Sequence, residues 1–178
     1  MTQVPAYTRI DSPLGPLLAV AEGNGLSVLA LASDRHRPSP PVDAIEAPRH
    51  RLFIALRRQL AEYFAGTRTA FDLPLAPAGT PFQMAAWNAL LAIPYGTTRS
   101  YAEQAAAIRR PTAVRAIGAA NGRNPIAIVI PCHRVIAADG SLGGYAGGLE
   151  AKRHLLAHEA RHAGKARRPT AAGPIAHS

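Results

Sequence analysis

The chain has 178 residues, and 20 Lys+Arg against 11 Asp+Glu give it a formal net charge of +9. With 48% hydrophobic and 17% charged residues it is neither disordered nor fibrous, and no apolar run approaches the roughly 20 residues of a membrane span. A single cysteine, Cys132, excludes an internal disulfide framework and any multi-cysteine zinc or iron–sulfur site. The start, Met1-Thr2-Gln3-Val4-Pro5, has no basic segment leading into an apolar run, so no secretory leader is expected and the protein is placed in the cytoplasm.

In chain order, residues 17–20 and 26–31 read as strands flanking Glu22-Gly23-Asn24-Gly25, where Asn24-Gly25 predicts a tight hairpin turn. Prolines at 38, 40, 41 and 48 make 33–48 a loop. Leu52, Phe53, Leu56, Leu60, Tyr63 and Phe64 recur at helical spacing, with Gly66 as the stop. Residues 71–75 are expected to form a last strand, followed by a linker at 76–79. Beyond it the pattern changes to capped helices. Thr80-Pro81-Phe82-Gln83 and Ser100-Tyr101-Ala102-Glu103 are capping boxes, opening helices to Leu91 and to about Ile108. A third helix is expected from Pro111 to Asn121-Gly122. Two short helices joined by a tight turn fit a helix-turn-helix. Residues 126–130 are a short apolar run consistent with a buried strand, ended by Pro131. A glycine-rich loop then leads into a final helix over about 149–163.

The expected fold class is therefore α/β: a small N-terminal sheet-plus-helix domain over 1–78, then a mainly helical C-terminal domain over 79–163 with a helix-turn-helix. A basic tail at 164–178 is expected to be disordered. Charge is distributed unevenly over this plan, with a net +1 on residues 1–75, +5 on 76–162 and +3 on the tail. Residues 99–134 alone carry Arg99, Arg109, Arg110, Arg115, Arg123 and Arg134 against Glu103. Such a block on a folded segment is either a solvated basic face or the footprint of a polyanion, most often nucleic acid.

A lone cysteine is ordinarily an inert buried residue. Cys132 instead follows an apolar run and a proline and precedes His133 and Arg134, a setting that favours the thiolate nucleophile. On the final helix Leu149, Leu155 and Leu156 set the inward face, with the stem of Lys152 packed among them, and Glu159 continues that face. An inward carboxylate needs a partner, and His133 is the obvious one. A Glu159–His133–Cys132 relay would hold the imidazole in one tautomer and let it take the thiol proton. The same helix also reads His158-Glu159-Ala160-Arg161-His162, the zinc-protease pattern H-E-x-x-H, with His154 extending the row. Only His177 follows as a third ligand, and solvated helix histidines are the simpler reading.

Ile130-Pro131-Cys132-His133-Arg134-Val135 resembles the active-site signature of the O6-alkylguanine-DNA alkyltransferases, the methylated-DNA–protein-cysteine methyltransferases. Phe82-Gln83 with Trp87, residues 93–98, Ser100-Tyr101, Arg115-Ala116, Asn124-Pro125, Gly144-Tyr145 and Gly147-Gly148-Leu149 with Lys152, Leu155-Leu156 and Glu159 fall at the family's spacing. The likeness is strong over 79–162 and fainter at Ser12-Pro13-Leu14-Gly15-Pro16. It implies that Cys132 accepts an alkyl group from O6 of guanine, or O4 of thymine, in one irreversible turnover with no cofactor and no metal. It further implies activation through His133 and Glu159, with Asn124 bracing the active-site turn. Arg115 would fill the gap left by a flipped base, and Tyr101 would help extrude and hydrogen-bond it. Val135, through its backbone, and the Tyr145 loop would line the base pocket, with Arg134 on the DNA-binding side. The implied partner is double-stranded DNA bearing O6-alkylguanine, held through the minor groove by a monomer without membrane attachment. The N-terminal part lacks the cysteines of relatives with a structural zinc, and Ala146 stands where some members have serine. Relatives that bind lesions without repairing them lack the acceptor cysteine, which this chain has.

Overall fold

Three strands open the chain as an antiparallel meander: β1 (Ala6–Ile10), β2 (Leu17–Glu22) and β3 (Gly25–Leu31). The computed structural model describes residues 3–164 and Ile175, so the tail expected at 164–178 otherwise lies outside the described residues. Ile175 itself is buried, and its N–H donates to Asn88 Oδ1 at 3.2 Å. The hairpin falls where Asn24-Gly25 predicts it, but Glu22 pairs with Gly25, leaving Gly23 and Asn24 as the turn. Gly23, at φ +56°, takes the left-handed position, because it meets no Cβ penalty there. β1 adds to the two expected strands. A two-residue β4 (Ile45–Glu46) pairs parallel to it, giving the order β3-β2-β1-β4.

α1 (Arg51–Phe64) buries Leu52, Phe53, Leu56, Leu60 and Tyr63 in one cluster with Ala19, Leu29 and Leu31 of the sheet. Each large apolar side chain taken fully out of water contributes on the order of 2 kcal/mol. Residues 71–75 do not form the expected strand. Pro74 has no N–H to give a ladder, and only Leu75 bridges to Leu26. The segment is held instead by Gln59, whose amide exchanges 2.8 Å hydrogen bonds with the Asp72 backbone.

Both capping boxes form. Thr80 and Gln83 cap α2 (Pro81–Leu91), and Ser100 and Glu103 cap α3 (Tyr101–Ala107). The next helix, α4 (Val114–Gly122), starts three residues later than Pro111 suggests. Arg109 is in the left-handed region and Ala113 N–H bonds Arg110 O, so the chain is still turning there. Gln104 and Asn121 exchange side-chain hydrogen bonds of 2.9 and 2.8 Å across α3 and α4, and Trp87 Nε1 donates to Ala120 O at 2.9 Å. These bonds lock α2, α3 and α4 around Ala86, Ala105 and Ile117.

The expected strand at 126–130 does not form. Ile126 bridges to Leu29 of β3, and the chain then folds into tight turns, with Val129 N–H on Ala127 O and Ile130 N–H on Ile126 O. Ile128 sits at φ +72°, a strained conformation for a β-branched residue, costing of the order of 1–3 kcal/mol. All five residues are buried, so an apolar run here cannot distinguish a strand from a buried turn. A parallel pair of two-residue strands, β5 (Arg99–Ser100) and β6 (Val135–Ile136), ties the start of α3 to the segment after Cys132. α5 (Leu149–His162) closes the fold with Ala151, Lys152, Leu155, His158 and Glu159 inward. Leu149, expected on that face, is 41% exposed.

Candidate active site

The turns at 126–131 end in a single 3-10 turn, Cys132–Arg134. With three residues per turn, consecutive side chains fan out by about 120°. Cys132 therefore faces a cavity while His133 and Arg134 both reach α5. A regular strand would have sent neighbours to opposite faces. The cavity, of about 340 Å3, is lined by Cys132, Tyr101, Gly118, Gly144, Tyr145 and Arg35 among others.

Asn124, two residues beyond the end of α4, braces this geometry. Its Nδ2 donates to Ile130 O at 2.7 Å and to Cys132 Sγ at 3.2 Å, and its Oδ1 accepts from Ile126 N at 3.0 Å. Burial pushes the Cys132 thiol pKa up, and the Asn124 hydrogen bond and the Lys152 charge only partly oppose this. The resting group is thus a thiol and not the thiolate expected from its cationic neighbours. Lys152, fully buried, donates through Nζ to the carbonyls of Val135 (2.6 Å), Gly144 (3.1 Å) and Leu142. Burial lowers its pKa to about 8.

Glu159 is the hub. Its carboxylate accepts from His133 Nε2 at 2.7 Å, Arg134 Nε and Nη2 at 2.9 Å each, Tyr63 OH at 2.9 Å and Gly96 N at 3.3 Å. Burial alone would raise its pKa, but His133 and Arg134 together hold it well below the usual carboxylate range. Burial also lowers the His133 pKa, despite the opposing Glu159 carboxylate, so the ring is neutral near pH 7. A carboxylate facing Nε2 requires Nε2–H, which leaves the basic lone pair on Nδ1. That Nδ1 is buried and has no hydrogen-bond partner among the described residues.

Several expected positions differ. Arg134, expected on the DNA-binding side, is turned inward: it is 7% exposed, and its third nitrogen, Nη1, donates to Ile93 O at 2.8 Å. A guanidinium beside a buried carboxylate is drawn inward by the ion pair. Val135 is not among the cavity-lining residues. Its N–H bonds Cys132 O and its carbonyl takes Lys152. Arg115 lies exposed in the first turn of α4, and Tyr101, half-buried, lines the same cavity as Cys132. His158, expected among solvated helix histidines, is 3% exposed with Nε2 2.6 Å from Tyr63 O. Among the described residues no group of three His, Cys, Asp or Glu is placed to hold a metal ion. Sequence reasoning missed Tyr63, which looks like one more apolar position of α1, and Arg35, which carries no local pattern.

The shifts fix an expected pH response. Folded His133 and Glu159 both bind protons less readily than the unfolded chain, whose values are near 6.5 and 4.5. Their contribution to stability is complete above pH 6.5 and is lost as pH falls, first through His133 and then through Glu159. Thermal melts should show a Tm that is level from pH 8 to about 6.5 and falls from there to pH 4. A Tm that is flat or rises toward pH 4 contradicts the assigned states.

Residues 6–77 match the family model described as 6-O-methylguanine DNA methyltransferase, ribonuclease-like domain, and residues 81–161 match its DNA binding domain. The methylated-DNA–protein-cysteine methyltransferase of Methanosarcina barkeri is 51% identical over 84% of this chain and 94% of its own length. That of Mycobacterium bovis is 49% identical over 84% of this chain and 89% of its own. The crystal structure of Mycobacterium tuberculosis OGT in complex with DNA superposes with a TM-score of 0.82 at 46% identity, covering 88% of this chain and 94% of that one. Two consecutive domain models and relatives of about half identity along most of the length agree: the chain belongs to the 6-O-methylguanine DNA methyltransferase family.

Proposed function

We propose that this protein repairs double-stranded DNA by moving an alkyl group from O6 of guanine irreversibly onto Cys132. The observation that carries the assignment to Cys132 is its thiol at the wall of the cavity, with Asn124 on the sulfur and the Glu159–His133 pair behind it. The sulfur attacks the alkyl carbon, an S–C bond forms, and the C–O6 bond breaks with its electrons going to the guanine oxygen. The thiol proton leaves through one bridging water to His133 Nδ1, the lone pair that Glu159 keeps available. Tyr101, in the lining of the same cavity, supports protonation of the departing base. The thioether has no second cysteine to resolve it, so each molecule acts once. O4-alkylthymine presents the same alkyl–oxygen bond and is the second candidate substrate.

An O6-alkyl group lies inside the base stack, so the nucleotide must swing out to reach the cavity. α3 and α4 serve as a helix-turn-helix over the minor groove, and Arg115 fills the vacated space. Unstacking costs a few kcal/mol, part of which an inserted side chain offsets. Arg115→Ala should therefore lower the ratio of transfer rates on duplex and on free O6-alkylguanine base about tenfold, or ~1.4 kcal/mol. An unchanged ratio in single-turnover assays refutes that role. The protein acts as a cytoplasmic monomer, folded as an N-terminal domain over 1–78 and a transfer domain over 79–163. Among the described residues no helix is long and apolar enough to cross a membrane.

The direct test incubates the protein with a methylated oligonucleotide and digests it for mass spectrometry. A Cys132 peptide one methyl heavier is the expected result. Tight lesion binding with an unmodified peptide would instead make the protein a lesion binder.

A further inference from the structure

We propose that Arg35, supplied by the N-terminal sheet domain, grips a backbone phosphate of the nucleotide whose base enters the Cys132 cavity. This rests on the transfer reaction assigned above and adds a DNA contact outside the C-terminal helices. The loop after β3 is built to hold Arg35 in place. Asp34 N–H bonds Leu31 O and Arg37 N–H bonds Asp34 O, both at 3.0 Å, with Arg37 at φ +44°. Asp34 is turned inward and accepts from His36 N at 2.8 Å. The loop is also fastened to the segment carrying Tyr145. Arg35 N–H donates to Ala146 O at 2.9 Å, and Ser33 Oγ donates to Gly147 O at 2.6 Å.

These bonds carry the Arg35 side chain across to the far wall of the cavity. Its Nη2 lies on Gly122 at the end of α4, where any Cβ would collide with it. The guanidinium thus lines the same cavity as Cys132, Tyr101 and Tyr145 while the residue stays exposed at the rim. Nε lies 3.2 Å from His36 Nε2, and among the described residues no carboxylate forms an ion pair with Arg35. A base that rotates out of the stack leaves its own phosphates at the mouth of the pocket that receives it. A planar cation with open N–H donors at that mouth matches a phosphate in charge and in fork geometry.

The test compares Arg35→Ala, Arg35→Lys and the unaltered protein in single-turnover transfer from a duplex carrying one O6-methylguanine and from the free base. Duplex reactions are repeated between roughly 50 and 200 mM salt. Arg35→Ala is expected to lower the duplex-to-free-base rate ratio about tenfold and to reduce the salt slope of duplex binding by about 1. Arg35→Lys, which keeps the charge and loses the fork, should recover part of the ratio and most of the slope. A ratio that stays constant overturns the proposal, because Arg35 then touches the base or nothing. A fallen ratio with an unchanged salt slope also overturns it, since no phosphate contact was removed. Failure of the assigned reaction itself would be seen separately, as no methyl transfer by the unaltered protein.

Discussion

Replacing Cys132 with alanine is expected to abolish methyl transfer entirely while leaving binding to alkylated duplex intact. No second thiol exists to take the group. The variant should nevertheless fold. The side chain is small, and Asn124 Nδ2 keeps its bond to Ile130 O when the sulfur contact disappears. A stability loss of about 1 kcal/mol covers the lost packing. Transfer assays, gel shifts and thermal melts on the same preparation check the three statements together. Residual transfer would move the acceptor elsewhere, and lost binding would mean that the thiol also supports the pocket's shape.

Glu159→Gln should have the largest effect on stability, about 3–5 kcal/mol, because it strands the buried guanidinium of Arg134. The amide keeps one acceptor oxygen, which can take Tyr63 OH or Gly96 N–H but not both, so the loss is one of charge and of a hydrogen bond and not of volume. Transfer should also slow by about 10²–10⁴-fold, since His133 loses the carboxylate that fixes its tautomer. Urea unfolding and single-turnover kinetics read the two effects separately. Adding Arg134→Met to Glu159→Gln removes the stranded charge and should restore much of the stability with none of the rate. If the double variant recovers both, Glu159 is a structural anchor and not part of the proton relay. If the single variant costs under ~1 kcal/mol, the ion pair is weaker than its geometry implies.

The site also shows how the N-terminal domain enters the chemistry. Tyr63, on α1, shares Glu159 Oε1 with His133, and its own carbonyl takes His158. Arg35 reaches the cavity from the loop after β3. The two sequence halves are thus joined at the reactive centre, and one buried cluster runs from β1 through α1 to α5.

What could be read from the amino-acid order was local. The hairpin near Asn24, the capping boxes at Thr80 and Ser100, the α1 stripe and the Pro131-Cys132-His133-Arg134 block are each specified by residues within a few positions of one another. Their physics is turn conformation, capping and periodicity, which need no distant partner. The pairing of Glu159 with His133 was also legible, because a carboxylate on an apolar helix face demands a buried partner. Other features depend on which distant surfaces meet. Arg134 turns inward because Glu159, 25 residues away, is there to receive it, and Tyr63 joins the hub across 96 residues. The apolar run at 126–130 becomes a set of strained turns because its surroundings bury every side of it. Cys132 rests as a thiol for the same reason: basic neighbours are visible in the chain, but the desolvation that outweighs them arises only when the two halves close over the sulfur.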